Sequence, residues 1–598
     1  MMGDQKNLIL AIVVSVAILM LYQTFVEMPR RERQQAEQAK QAEIAKQQGQ
    51  VPSPGAEGPK PAPGGTAPTV PGAAPQLGVD TSEIVGAAGD SPAAQREAAL
   101  KLSPRLNIDS PRLAGSIALK GGRFDDLFLK DYRETIEPDS PLVELLWPTG
   151  TDKPYYAEFG WLAERSVRTP NSASIWTADG SRLEPGKPVT LRWDNGEGLL
   201  FERRIELDEN YMFTITQRVR NTGDTPVQMA PYGLISRTGK PDILGFYILH
   251  EGLLGVFNET LTEVDYDDLV DEGPQRHTST GGWLGITDKY WLAALIPNRK
   301  EPMRASFNAG QRGKTDKFQA DYLLDRRDLP AGGTIEVTNR LFAGAKQVPL
   351  LDRYEKELGV DRFDLAVDFG WFYFLTKPIF LALLWIEKHV GNLGLSILVL
   401  TVFIKLLFFP LANKSYRSMS RMKALQPKMQ EMKERFGDDR QRLNQAMMDL
   451  YKKEKVNPAA GCLPMVIQIP VFFALYKVLF VTIEMRHAPF YGWIHDLSAR
   501  DPLGMLTLFG LVNWNVPTML DVVNIGIWPL IMGLTMFLQQ KLNPQPTDPI
   551  QAKIFLFMPL FFTFLLAPFP AGLVIYWAWN NILSIAQQWV IMKRMGVK

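Results

Sequence analysis

Residues 392–411, NLGLSILVLTVFIKLLFFPL, set the strongest limit on what this chain can become. A helix needs about twenty apolar residues to cross the hydrocarbon core of a bilayer, and this run has that length. Yet it holds Lys405 well inside. A lysine at the centre of a spanning helix costs roughly 2.5 to 3.5 kcal/mol on insertion scales, so such charges face a cavity or a partner more often than lipid. Snorkelling to the headgroups is the competing reading. Lys414, the first basic residue beyond the run, lies about 13 Å further along a helix axis, more than a lysine stem covers.

Composition narrows the function classes. The 46% hydrophobic content is an average over very apolar and very polar stretches. A net charge of +1 gives no global basic field, so no nucleic-acid site of its own is expected. One cysteine, Cys462, excludes an internal disulfide and a thiolate cage, and the five histidines show no ligand spacing. Nucleotide-binding loops and catalytic triads are missing too. The expectation is a protein without cofactor or metal that is not an enzyme.

Residues 8–26, LILAIVVSVAILMLYQTFV, read as a retained N-terminal transmembrane anchor, too long and too poor in small residues at its end for a cleaved signal peptide. Residues 28–100, rich in Gln, Ala, Pro and Gly, read as a disordered tether. Over 101–349 the texture changes to period-two alternation, as in Tyr211, Phe213 and Ile215 against Met212, Thr214 and Thr216, with turn signals at 221–224 and 331–333. That predicts an antiparallel β-sandwich. Asp125 with Asp126 and Asp267 with Asp268 invite a glycosidase reading, but neighbours on a strand face opposite ways and loop acids are ordinarily solvated. Residues 350–390 turn helical and aromatic, which suits an amphipathic helix lying on the membrane interface.

Beyond the lysine-bearing run, residues 412–460 are basic and helix-prone, with Met419, Met422, Leu425, Met429, Met432 and Phe436 on one face. Gly437, Asp438 and Asp439 break the pattern, which predicts a helical hairpin over 412–460. Its methionines either pack the two helices together or offer an adaptable surface to varied partners. Four more apolar stretches follow, at 463–483, 523–542, 554–568 and 571–592, the third short for a span. Pro568 and Pro570 predict a tight hairpin between the last two. The loop at 486–521 carries a weaker apolar run, 503–512, read as interfacial. The fold class is therefore a multi-span α-helical membrane protein, an anchor plus a five-helix core, with a large β-sandwich outside. Twelve Lys and Arg in 412–460, Lys541, Lys553 and the basic tail put the hairpin and both termini in the cytoplasm and the β domain opposite.

Polar residues inside these apolar segments carry the functional reading. Thr401 shares a helix face with Lys405, Gln468 and Lys477 lie in the third span, and Asn580, Asn581, Ser584, Gln587 and Gln588 lie in the last. Together they predict a wet cavity open to the cytoplasm, although single polar residues also serve as glue between helices. Such a cavity, with no energy source, suits a passive role in which it draws a polar, preferably acidic, segment into the bilayer so that an attached apolar helix slides into lipid.

Over most of its length, from anchor and β domain to interfacial helix and five-span core, the chain resembles the YidC/Oxa/Alb family of membrane-protein insertases, of the Gram-negative bacterial type, most specifically in the core. The resemblance rests on YKKEKVNPAAGCLPMVIQIPVFFALYKVL (451–479), the AMMDLYKKEKVNP approach to it, APFYGWIHDLSARDP (488–502) and FPAGLVIYW (569–577). It implies insertion and folding of newly made inner-membrane proteins, alone or with the Sec translocon, through a hydrophilic groove. The family's groove charge, typically Arg, falls on Lys405 and its groove threonine on Thr401. Tyr576 matches the first of two tyrosines and Trp577 replaces the second. Gln468 and Asn580 complete the predicted groove. Met419, Met422, Met429, Met432, Asp438 and Asp439 mark the predicted recruitment hairpin. The implied partners are nascent membrane proteins, the lipid bilayer, the Sec translocon, and ribosome or signal-recognition components at the hairpin and tail. A solute or ion transporter using Lys405 as a relay is the alternative, opposed by the lack of a detectable repeat.

Overall fold

The computed structural model describes residues 91–594 apart from 242–248, 314, 438, 455–462, 513, 515, 518–519, 521–522 and 544–548. The predicted anchor at 8–26, nearly all of the tether, Asp438 and the final basic residue, Lys598, lie outside the described residues.

Alternation in the sequence becomes alternation in burial. Along Met212–Asn221, Phe213, Ile215 and Val219 are buried while Arg218 and Arg220 are exposed. Met212, read as outward-facing, is buried as well. This strand pairs antiparallel with Thr334–Ala345 and Leu199–Leu207. On its outer face Thr216 and Thr338 share a 3.0 Å hydrogen bond. The sheet continues through Trp291–Ile296, Trp283–Thr287 and Gly252–Phe257 to Thr260–Asp265 on one side and through Val189–Asp194 to Thr177–Ala178 on the other. A second sheet runs from Gln275–Thr280 through Pro302–Arg312, Thr315–Leu324, Val227–Thr238, Tyr155–Ala163, Arg123–Arg133 and Leu113–Ala118 to Arg105–Asp109 and Arg182–Leu183. Only this last pairing is parallel among the described strands. Phe124, Phe159, Phe213 and Phe342 belong to the core the two sheets share.

Two readings change here. Asp125 and Asp126 are not solvated: both are buried, paired with Arg105 and Arg96, beside a register shift at Ser116/Ile117. Two buried carboxylates with guanidinium partners are a structural solution. Asp267 and Asp268 are exposed in the first turn of a helix, Tyr266–Glu272. The tether also ends earlier than 100. Helix α1 (Pro92–Leu100), capped by Ser91, buries Gln95 and Ala99 and sets the Arg96 guanidinium 4.3 Å from the Phe128 ring centre.

Below the sandwich, α2 (Val348–Leu358) and a 3-10 turn (Phe363–Ala366) lead to α3 (Tyr373–Val390). An acidic group here, Asp352 with Asp364, already holds the Lys377 ammonium at 2.7 Å from each. Helix α3 buries Thr376, Ile379, Phe380, Leu383 and Ile386 on one face and exposes Phe374 and Trp385 on the other. Gly391, at φ 72°, ends it in a left-handed cap that glycine adopts without strain. Asn392 then caps α4 (Leu393–Leu407) through Leu395 N at 2.9 Å. Helix α5 (Phe409–Ala424) follows α4 almost at once.

The remaining helices are α6 (Gln426–Phe436), α7 (Arg440–Lys453), α8 (Leu463–Val481), α9 (Ile527–Leu542), α10 (Pro549–Leu566) and α11 (Ala571–Arg594). Among the described residues no single helix is long and apolar enough to cross a membrane; α3 and α4 meet the length and composition together, bent by 120°. The long α11 falls short because polar residues punctuate it. Helix α10 extends further back than the short apolar run at 554–568 suggests. The chain turns at Pro568–Pro570 as anticipated, but the expected hairpin is a three-helix unit in which α9 packs on both α10 and α11. Gly533 is the point of close approach: a Cβ there would collide with Thr563 Oγ1.

Helices α6 and α7 form their own compact unit with residues 427–455. Met429 and Leu450 are buried between them, the Tyr451 hydroxyl reaches Met429 Sδ at 3.9 Å, and Lys428 pairs with Glu454 at 2.8 Å. Asp439 caps α7 through Arg442 N at 3.1 Å. The hairpin thus begins later than 412, because α5 packs instead on α4, α8 and α11.

Candidate functional site

Helices α4, α5, α8 and α11 enclose a recess of about 570 Å³, counting its open mouth. Its polar lining is Thr401, Lys405, Tyr416, Gln468, Tyr576, Asn580 and Gln587, and its apolar lining includes Ile404, Phe408, Leu411, Ala412 and Val471. Helical spacing explains the gathering. Tyr576, Asn580, Ser584 and Gln587 follow one another by four, four and three residues along α11, and Thr401, Lys405, Ala412 and Tyr416 keep the same face across the α4–α5 junction.

The hydrogen bonds form a connected set. Lys405 Nζ donates to Ser584 Oγ at 2.7 Å, and Ser584 Oγ donates to Asn580 O at 2.8 Å. Gln468 Nε2 donates to Asn580 Oδ1 at 2.7 Å. Thr401, almost wholly buried, donates back to Ile397 O at 2.6 Å. A lysine ammonium has three donors. No carboxylate among the described residues pairs with Lys405, which lines the recess. On the other side of the lysine, Phe403, Leu406 and Leu407 are exposed, an apolar flank directly beside the charge.

Not every predicted residue joins the site. Trp577 turns away, packing 4.7 Å from Phe472 and 6.2 Å from Phe562, ring centre to ring centre. Lys477 lies at the other end of α8, bonded to Asp368 at 2.7 Å. Asn581 and Gln588, each one residue round the helix from the recess stripe, bind α9 and its cap through Thr535 and Leu542 O. Those two are glue. Met419 and Met422 are half-buried on α5, while Met429 and Met432 sit on α6. Tyr416 was hidden from sequence reasoning by the basic residues around it, which assigned it to the hairpin. Its spacing from Lys405 and Ala412 was the available signal.

The β domain seats on the outer end of this core. Asp368 accepts from Lys477 Nζ and, at 3.4 Å, from His250 N. Arg486 donates to the carbonyls of Arg133 and Glu134 at 2.6 and 3.0 Å, and the Lys289 ammonium lies 4.0 Å from the Phe480 ring centre. One hydrophobic cluster runs unbroken from the sandwich into α3, α4 and α8.

An apolar helical core enclosing a polar, lysine-bearing recess, with a folded β domain seated on one end, is an architecture that suits an integral membrane protein. Residues 105–382 match a family model described as the YidC periplasmic domain, and residues 385–598 one described as the 60Kd inner membrane protein. Proteins described as membrane protein insertase YidC from Methylobacterium radiotolerans and Bradyrhizobium diazoefficiens are each 51% identical over all of this chain, covering 96% and 97% of their own lengths. A crystal structure of active YidC insertase with its first transmembrane domain resolved aligns over 81% of this chain and 92% of that one, at 16% identity and a TM-score of 0.34. The chain belongs to the YidC family of membrane protein insertases. It is an inner-membrane protein whose β domain is periplasmic, and its work is insertion without enzymatic turnover.

Proposed function

We propose that the recess receives the polar, preferably acidic, segment of a nascent membrane protein, and that Lys405 supplies the pairing charge. The observation that carries this is an ammonium anchored by one hydroxyl, with no carboxylate partner among the described residues, inside an amide- and hydroxyl-lined recess. A carboxylate entering hydrocarbon alone costs a few kcal/mol, and a cation already in place offsets part of that cost. Thr401, Gln468, Tyr576 and Asn580 replace water around the segment's backbone, as an otherwise unpartnered polar group requires. The segment's apolar helix then leaves along Phe403, Leu406 and Leu407 into lipid, driven by burial of its own surface.

Around this step, α3 lies on the outer membrane interface with Trp371, Phe374 and Trp385 toward the headgroups. The α6–α7 hairpin, with both termini, is cytoplasmic, and its Met429, Met432 and Asp439 region recruits substrate, ribosome or signal-recognition components. The Sec translocon is a partner for larger substrates.

The test is insertion of a freshly synthesised single-span protein into liposomes holding only this purified protein, read by protease protection. Lys405→Arg keeps the charge and retains most of the protection. Lys405→Glu lowers it by about five- to thirtyfold, the range of one to two kcal/mol, with normal expression. Full activity of Lys405→Glu overturns the reading.

A further inference from the structure

We infer that the loop at residues 503–512 is a monotopic lipid anchor that dips its apolar tip into the periplasmic leaflet beside α9. No charged residue occurs anywhere in 503–520, LGMLTLFGLVNWNVPTML. The tip is fully apolar on its outside: Leu508, Phe509, Val512 and Trp514 are exposed, and Leu511 is 87% exposed. In water such a patch would be a liability in a protein otherwise able to bury leucine.

The backbone is prepared for lipid. Every N–H from Leu503 to Val512 has an acceptor within the loop or its immediate base: Leu506 N reaches Asn524 Oδ1 at 3.0 Å, Phe509 N reaches Gly504 O at 2.9 Å, and Val512 N reaches Thr507 O at 3.0 Å. Solvated surface loops leave such groups to water; hydrocarbon demands that they be satisfied internally. Leu508, Phe509 and Gly510 follow one another at φ 48°, 56° and 87°, a left-handed run that bulky residues rarely adopt and that wraps the tip on itself.

The base fixes the loop at membrane height. Met505 N bonds Ile525 O, Gly504 bridges Gly526, and Asp501 accepts from Trp493 Nε1 at 3.0 Å and from Trp528 N, in the first turn of α9, at 2.8 Å. That end of α9 lies on the side of the β domain, since Arg486 at the head of the same connection binds Arg133 and Glu134. Farther along α9, Leu534 and Leu538 are exposed, so the apolar tip continues a lipid-facing surface. Lipid is therefore the occupant.

The experiment uses the full chain with Cys462→Ser and a single new cysteine carrying an environment-sensitive NBD fluorophore, at Leu511→Cys or at Asp139→Cys in an exposed turn of the β domain. Both are reconstituted in phosphatidylethanolamine and phosphatidylglycerol vesicles, and unchanged insertion activity shows that each is folded. The inference expects blue-shifted emission at position 511, severalfold weaker quenching by iodide than at 139, and strong quenching by lipids carrying a nitroxide near the headgroup. Equal iodide quenching at both positions overturns it. So does shielding at 511 that ignores nitroxide lipid and disappears when the protein is diluted per vesicle, which would mean a second copy covers the tip.

Discussion

Lys405 depends on its neighbours for direction more than for charge. Ser584 is its described hydrogen-bond partner, and a serine hydroxyl beside an ammonium fixes where the charge sits in the recess. Ser584→Ala therefore lowers the rate of liposome insertion by about threefold, well under the effect of charge reversal, whereas Ser584→Thr preserves it. In the β domain, burial pushes the Asp321 carboxyl up to about 6, against hydrogen bonds from Gln319, Ser306 and Asn308 that favour its ionised form. The folded state thus binds a proton that the unfolded chain releases near its ordinary value. This contribution to stability is fully present below about pH 4 and is lost as the pH rises through 6, a change of about 3 kcal/mol. Urea unfolding at pH 4 and pH 7.5 shows a larger decrease with pH in the wild type than in Asp321→Asn, which cannot titrate there. At this scale the sequence displayed the recess well, because Thr401, Lys405, Gln468, Tyr576 and Asn580 are polar residues conspicuous in apolar surroundings. Trp577, carried over from the resemblance, and Asn581 and Gln588, picked for their polarity, fall outside it because neither criterion tells which way round a helix a side chain points.

At the scale of elements, the periods of two and 3.6 located strands and helices, but contacts decided how they group. Helix α5 reads like the hairpin it precedes, yet its inner face completes the recess. Close packing of α9 on α10 rests on Gly533, and a side chain there meets Thr563. Gly533→Val lowers stability in detergent by about 1 to 3 kcal/mol, and adding Thr563→Ala restores part of it, checked by thermal unfolding of the single and double variants. The hairpin offers a simpler case. Asp439→Ala removes the cap of α7 at a cost of about 1 kcal/mol, seen as faster amide exchange in its first turn.

For the whole molecule, the sandwich was legible from alternation alone, but its seat on the core was not. Asp368, Lys477, His250 and Arg486 are single residues far apart in the chain, and no local pattern announces that they meet. The recess is built wholly from residues beyond 400, and α3 holds α2 through the Lys377–Asp352 pair independently of the sandwich strands. Deleting residues 101–340 therefore leaves much of the insertion activity in the liposome assay while lowering the melting temperature of the core; complete loss of insertion by a folded deletion variant would contradict a recess that works alone. The unbroken apolar cluster across that junction has one more consequence. The periplasmic domain and the bundle share one apolar core, so a rigid antibody fragment clasped to the sandwich becomes a pointer whose angle to the bilayer follows the helices as a substrate passes.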